Sequence, residues 1–394
     1  MKMTKNTKKQ LKMDDFIVFT FSMMTFIPST SRGNIVRVIV MAIVLVIMAI
    51  RNGLRIQKKI LGMCGLMITS VLISVLGVLV IQGSLNVSNV NHELLRIGFN
   101  ILLILLLFER KYDVKTIRLA CVLILCVNLF IQILQYINPA QINTIIRQFY
   151  VDSTDGGKHL LLSYESLSNF RAGSIYINPN ICGQAIVMLV PVFIDMYNNE
   201  KKFKNLLWLV MSALSIVLTG SRTAIIIFTV IIFISLTYDK NVNRKVIKII
   251  ALALISIIVL VVVTRNELLA NYRSFNLSNG INRSLIPKFN EFFSYFESTN
   301  VLNILTGSIG AANYIQVDAE FGYIITYYGV LGVIWYIQLL NKIRRQNIAK
   351  PIYRKSYMAI ILLSGFTSTT MLCMPLVSLY LSLSITKERE EKRD

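Results

Sequence analysis

Long apolar runs separated by short polar stretches dominate this chain. They fall at Phe16–Pro28, Ile35–Ile50, Ile60–Ile81, Leu94–Phe108, Ile117–Ile137, Ile181–Tyr197, Phe203–Thr219, Thr223–Thr237, Ile247–Val263 and Phe321–Leu340. Runs such as Ile60–Ile81, Ile117–Ile137 and Ile247–Val263 hold enough uncharged residues to cross about 30 Å of hydrocarbon at about 1.5 Å per residue. The stretch Tyr357–Ile385 is too long for one span and short for two, and its polar centre, Gly365–Thr370, reads as a turn between two short helices. The pattern predicts an all-α, polytopic membrane helix bundle of about twelve spans, with residues 1–394 forming one integral membrane domain.

The polar stretches alternate in charge. Met1–Lys12, Arg51–Lys59, Arg110–Arg118, Lys201–Lys204, Lys240–Lys248 and Lys342–Lys355 are basic, whereas Gln82–Glu93 contains no Lys or Arg. Threading the spans puts every basic loop on one side, which the distribution of Lys and Arg assigns to the cytoplasm together with the N-terminus. The charged tail Lys387–Asp394 returns to that side only if Tyr357–Ile385 crosses twice, which favours twelve spans over eleven. Two connections, Asn138–Asn180 and Thr264–Glu320, are long and lie on the outer face. Connections beyond about 12–15 residues are usually functional or disordered, and the aromatic content of these two favours order.

Composition agrees. Hydrophobic residues make up 55% of the chain and charged residues 15%, against roughly 45–50% and 25% in soluble domains. The net charge of +21 sits mostly in the short loops, so nucleic acid is set aside as a partner. The five cysteines lie in or beside apolar runs without metal-ligand spacing, which argues against a zinc site or a disulfide framework. The basic N-terminus and first apolar run resemble a signal peptide, but no small-residue cleavage site follows, and a retained first span is expected.

Candidate chemistry is confined to the outer side. Arg37 and Arg96 are expected near the outer ends of their helices, snorkelling to the interface. In Thr219-Gly220-Ser221-Arg222-Thr223-Ala224 a helix starting near Ser221 would leave free N–H groups beside a guanidinium. That combination suits phosphate oxygens, or is simply a serine N-cap beside an interfacial arginine. Asn178 and Asn180 flank Pro179 directly before a span; Asn180 suits a helix N-cap, and the paired amides suit sugar hydroxyls. Asp318 and Glu320 precede the span at Phe321, as a general base or as a solvated pair at a helix start. His159 lies in the first long loop, where it is either solvated or titrating near neutral pH.

The Asn178-Pro179-Asn180 segment, the Gly220-Ser221-Arg222-Thr223-Ala224 turn two spans later, and the Gly-rich Leu305–Gly310 leading to Asp318–Phe321 and Tyr328–Gly332 occur in this order. Together they resemble the O-antigen ligase and Wzy-type polysaccharide polymerase superfamily across nearly the whole chain. The resemblance implies a GT-C-like glycosyltransferase without metal or other cofactor, acting at the outer face of the cell membrane. Its substrate would be an undecaprenyl-pyrophosphate-linked oligosaccharide held among membrane lipids, with a flippase and a chain-length regulator as pathway partners. Arg222 carries over as the binder of the leaving pyrophosphate. Arg171, Arg265, Arg273 and Arg283 are helpers by location. Ligase-type members often have a histidine before the last long span; here Asp318 stands in that neighbourhood and no histidine follows His159. Two alternatives remain open: transfer of the finished glycan to another acceptor, and transport of a lipid-linked oligosaccharide. A transporter would need charged groups lining a path at mid-bilayer, where the sequence offers Asp195 and little else.

Overall fold

The computed structural model of the chain describes residues 5–28, 30–50, 58–108, 110–151, 171–200, 202–238, 290, 293–296, 300–311, 319–346, 351–366 and 370–388. The helices within them are α1 (Lys5–Met23), α2 (Ser31–Ile50), α3 (Lys58–Gln82), α4 (Val87–Leu107), α5 (Val114–Ile137), α6 (Pro139–Tyr150) and α7 (Pro179–Asn199). After them come α8 (Phe203–Thr219), α9 (Arg222–Tyr238), α10 (Val301–Thr306), α11 (Glu320–Gln346), α12 (Pro351–Gly365) and α13 (Met374–Ser384). Short 3-10 turns occupy Met24–Phe26 and Ser174–Tyr176. The expected span Ile247–Val263 and most of the long connection Thr264–Glu320 lie outside the described residues.

Six described helices, α2 to α5, α7 and α11, are long and apolar enough to cross a membrane; α8, α9 and α13 are apolar but shorter. This is a membrane helical protein. The six divide by burial. About 89% of the α7 window is buried, against 28–56% in the other five. A helix apolar on every face belongs in the interior of a bundle, and one with an exposed apolar face belongs against lipid. So α7 runs through the centre, packed against α5, α8, α9, α12 and α13, while α3, α10 and α11 form a neighbouring group. Gly365 ends α12, and α13 begins at Met374, so the break expected at Gly365–Thr370 is real.

The described parts of the basic segments gather at one end. There Arg118 bonds Glu200 at 2.7 Å, joining the start of α5 to the end of α7. Arg110 meets Asp14 at 2.9 Å, and the Asp113 amide donates to Asp15. The Lys342 ammonium lies over the Phe108 ring and that of Lys355 over Tyr238. Strand β1 (Lys111–Tyr112) pairs in parallel with β2 (Lys387–Glu388), so after α12 and α13 the chain returns to the end it left after α11.

The first long connection is not uniformly a loop. Its opening third is α6, initiated by the Asn138 side chain accepting from the Gln141 amide and by Pro139 at the first helical position. Hydropathy alone does not mark α6, because it is amphipathic and only three turns long. The Gly-rich segment is architectural. It inserts into a break in α11 at Gly329, whose φ of 61° suits glycine. A Cβ there would strike the Leu305 carbonyl and the Thr306–Gly307 peptide. The Tyr327 carbonyl, left open by that break, accepts from Ser74 Oγ at 2.7 Å and from the Ser308 amide at 3.2 Å.

Candidate functional site

At the end opposite the basic segments, α5 sends two glutamines into the interior. Gln132 accepts from Ser215 Oγ of α8 at 2.6 Å and donates to the Ser215 carbonyl at 3.2 Å. Gln135 accepts from the Ser174 amide at 2.8 Å and donates to Asn143 of α6. Both are buried. A buried amide with partners on other elements fixes how those elements sit, since an unmet polar group in an apolar interior is costly. The segment 171–178 is thereby tied to α5, α6 and α8.

Within that segment the backbone is strained. Ile177 has φ 63° and ψ −52°, and the Asn178 amide reaches the Tyr176 carbonyl in a γ-turn. A β-branched residue rarely adopts positive φ, and such outliers persist only where surroundings over-determine them. The surroundings here are the buried Tyr176, whose hydroxyl bonds Thr25 at 2.6 Å, and the N-terminus of α7. Burial pushes the Tyr176 phenol well above its ordinary range, so it stays protonated. The turn aims Asn178 at the start of α7, where its Oδ1 accepts from the Asn180 amide at 2.9 Å. Asn178, not Asn180, is the N-cap; Pro179 takes the first helical position, which needs no donor, and moves the helix start ahead of the apolar run.

Asn180 has a different task. Its Oδ1 accepts from Arg171 Nη2 at 2.7 Å, while Arg171 Nε donates to the Thr219 carbonyl at 2.9 Å. Arg171 therefore bridges the start of α7 to the end of α8. Beyond Thr219 the left-handed Gly220 closes α8, and the buried Ser221 opens α9 with its Oγ accepting from the Ala224 amide at 3.4 Å. Arg222 is the first residue of α9 and is half-buried. Gly183 lies so close to this turn that a Cβ would stand 2.8 Å from Ala224 Cβ and 3.0 Å from Ser221 Cβ.

Arg171, Asn178, Asn180, Ser221 and Arg222, read from separate parts of the sequence, thus converge. The N-termini of α7 and α9 lie side by side, with the Arg171 guanidinium bonded beside them and Arg222 in the first turn of α9. Each N-terminus carries about half a positive charge, which makes the pair suited to an anion. The Asn178 and Asn180 side chains each use their oxygen inside the protein, leaving the amide nitrogens as donors.

Glu320 is elsewhere. It is fully buried at the start of α11, accepting from the Tyr336 hydroxyl and from the backbone amides of Thr370 and Met371. It is not a solvated acid at a helix start; it clamps the segment before α13. Asp318, His159, Arg265, Arg273 and Arg283 lie outside the described residues. Among the described residues no group of three or more His, Cys, Asp or Glu is arranged to hold a metal.

One centre was not foreseen. Glu93 of α4 is buried and accepts from Tyr323 at 2.5 Å and Tyr328 at 2.6 Å, with Arg96 at 3.1 Å. The Arg96 guanidinium also stands over the Tyr323 ring, 5.2 Å from its centroid. His92 lies beside them, 3.7 Å from Glu93. The available signal was a Glu and an Arg three apart at the head of an apolar run, a place where ionisable groups seldom occur without a partner. Arg96 is held by this centre and does not snorkel. Arg37 is 1% exposed and donates to the Pro28 carbonyl and Asn34, so it does not snorkel either. The segment before α13 links the regions: the Met371 amide donates to Glu320 and its carbonyl accepts from Asn100 of α4 at 2.9 Å, and burial pushes the nearby Cys373 thiol up to about 11. The sequence matches no protein-family model, and no curated protein is similar to it.

Proposed function

We propose that this protein is a membrane polysaccharide polymerase that transfers a polyprenyl-pyrophosphate-linked glycan onto the next lipid-linked unit at the outer membrane face. The observation that carries the reading is the convergence of Arg171, Arg222 and the N-termini of α7 and α9 at the end remote from the basic segments.

In this reading the acceptor hydroxyl attacks the anomeric carbon, the bond from that carbon to the pyrophosphate oxygen breaks, and the lipid pyrophosphate departs with the electron pair. Arg222 and Arg171 neutralise the charge developing on the pyrophosphate, which is electrostatic stabilisation of a leaving group. Asn178 and Asn180 donate from their side-chain nitrogens to sugar hydroxyls, and Ser221 holds the turn that presents Arg222. The acceptor proton goes to Asp318. Glu320, sealed by three donors, keeps the segment before α13 in place. Arg265, Arg273 and Arg283 are assigned as helpers by their place in the sequence alone. A pyrophosphate is a good leaving group without a metal, so positioning and charge suffice.

The test is a gel profile of surface glycan from a strain carrying Arg222→Ala, with membrane insertion checked by immunoblot. Single repeat units in place of a ladder are the expected result; a normal ladder would sink the assignment. Transfer to a different acceptor would instead leave the ladder intact on its lipid carrier and remove the finished conjugate.

A further inference from the structure

A cleft of about 330 Å³ opens on the flank of the bundle between α2 and α4. Met41 and Leu45 line it from α2 and Leu95, Gly98 and Phe99 from α4, with Met374 at one side. Its rim faces lipid, since Val38 and Leu95 are 52% and 40% exposed within apolar helices. Among its lining residues only Arg37 is charged.

That guanidinium is out of place electrostatically. Its side chain is buried, and its partners are the Ile27 and Pro28 carbonyls, Asn34 Oδ1 at 2.8 Å and the Met374 sulfur at 4.0 Å. All are neutral. Among the described residues no carboxylate pairs with it, and its Nε has no hydrogen-bond partner. A buried cation with dipoles but no counter-charge is costly in an apolar surrounding, and an anion delivered from the bilayer would supply both the charge and the missing acceptor.

We propose that the cleft is a binding site for one anionic glycerophospholipid, with an acyl chain between α2 and α4 and the headgroup phosphate drawn to Arg37. Charge complementarity selects the head. Size selects the tail: at about 30 Å³ per methylene-sized group, taking water's share of liquid volume as the yardstick, the cleft holds on the order of ten such groups. That matches much of a straight acyl chain and only a short piece of a branched polyprenyl one. The site is separate from Arg171 and Arg222 and does not depend on the glycan-transfer reading.

The experiment uses purified full-length protein in detergent, given phosphatidylglycerol or phosphatidylcholine with the same acyl chains. Native mass spectrometry is expected to show one phosphatidylglycerol retained under conditions that strip phosphatidylcholine, with thermal unfolding raised by roughly 2–4 °C over phosphatidylcholine. Arg37→Met should abolish both differences. Gly98→Phe tests the tail alone: Gly98 lines the cleft and a Cβ there meets nothing within 4 Å, so the added side chain starts in open space, while Arg37 is untouched. It too should remove lipid selectivity, and it decides the matter if Arg37→Met fails to fold. Equal shifts from the two lipids in the wild type, selectivity that survives in Gly98→Phe, or tighter retention of polyprenyl phosphate than of phosphatidylglycerol would each overturn the assignment.

Discussion

Arg171 holds Asn180 at 2.7 Å through Nη2 and the Thr219 carbonyl at 2.9 Å through Nε, joining the first turn of one buried helix to the last turn of the next. This bridge needs a planar fork with donors on two edges. Arg171→Lys keeps the charge but supplies one compact ammonium that cannot span both acceptors. The expected result is protein at wild-type level in the membrane with polymer reduced at least tenfold, read on a glycan gel. Wild-type chain lengths would show that the bridge is dispensable.

Glu93 anchors α11 to α4 through two tyrosine hydroxyls and Arg96. Removing one member of a buried ion pair leaves the other uncompensated, which typically costs about 3–5 kcal/mol. Glu93→Ala should therefore lower the unfolding temperature in detergent by several degrees. Tyr328→Phe, which leaves the ion pair in place, should cost less, on the order of 1 kcal/mol. A loss from Tyr328→Phe equal to that from Glu93→Ala would refute this ranking.

Gly329 takes φ 61° where the Gly-rich segment crosses α11. An alanine there meets both an unfavourable backbone region and the Leu305 carbonyl, with a strain cost of about 1–3 kcal/mol. Gly98→Ala, on an open helix face, serves as the control and should be neutral or stabilising. Thermal unfolding of the two variants side by side checks the difference.

Glu200, at the basic end, is held below the usual carboxylate range by hydrogen bonds from Arg118 and then Lys202. Because its pKa is depressed in the folded state, its contribution is present above the ordinary value of 4.5 and is lost as pH falls through the lowered folded value. Arg118→Met should flatten the part of the stability profile that lies below about pH 4.5 and leave the neutral region little changed. An unaltered acid limb would show the pair to be without weight, as exposed pairs often are.

The two ends of the bundle differ in charge, and the exposed Ser84 between α3 and α4 lies at the end away from Lys202. In intact cells an impermeant maleimide should label Ser84→Cys and reach Lys202→Cys only after permeabilisation. The reverse pattern would invert the orientation and remove the outer-face reading of Arg222.

Much of the architecture was legible in the chain. The run Phe203–Thr219 coincides with α8, and the described parts of the basic stretches gather at one end, because hydropathy and charge report the average solvent of a segment. The Ser221–Arg222 turn was legible for the same local reason: a glycine stop followed by a serine cap is written in consecutive residues. Hydropathy could not say which face of a helix meets a neighbour. For that reason Arg37 and Arg96 read as interfacial residues and are instead held inside, by carbonyls and by Glu93 respectively. Glu320 read as a general base or a solvated acid; Tyr336 and the Thr370–Met371 amides, sixteen to fifty-one positions away, close around it instead. What the sequence by itself determined was a membrane helix bundle. Which charges are paired, buried or left for a ligand was decided by the tertiary structure, since side-chain partners across helices depend on rotation and packing that no local pattern encodes.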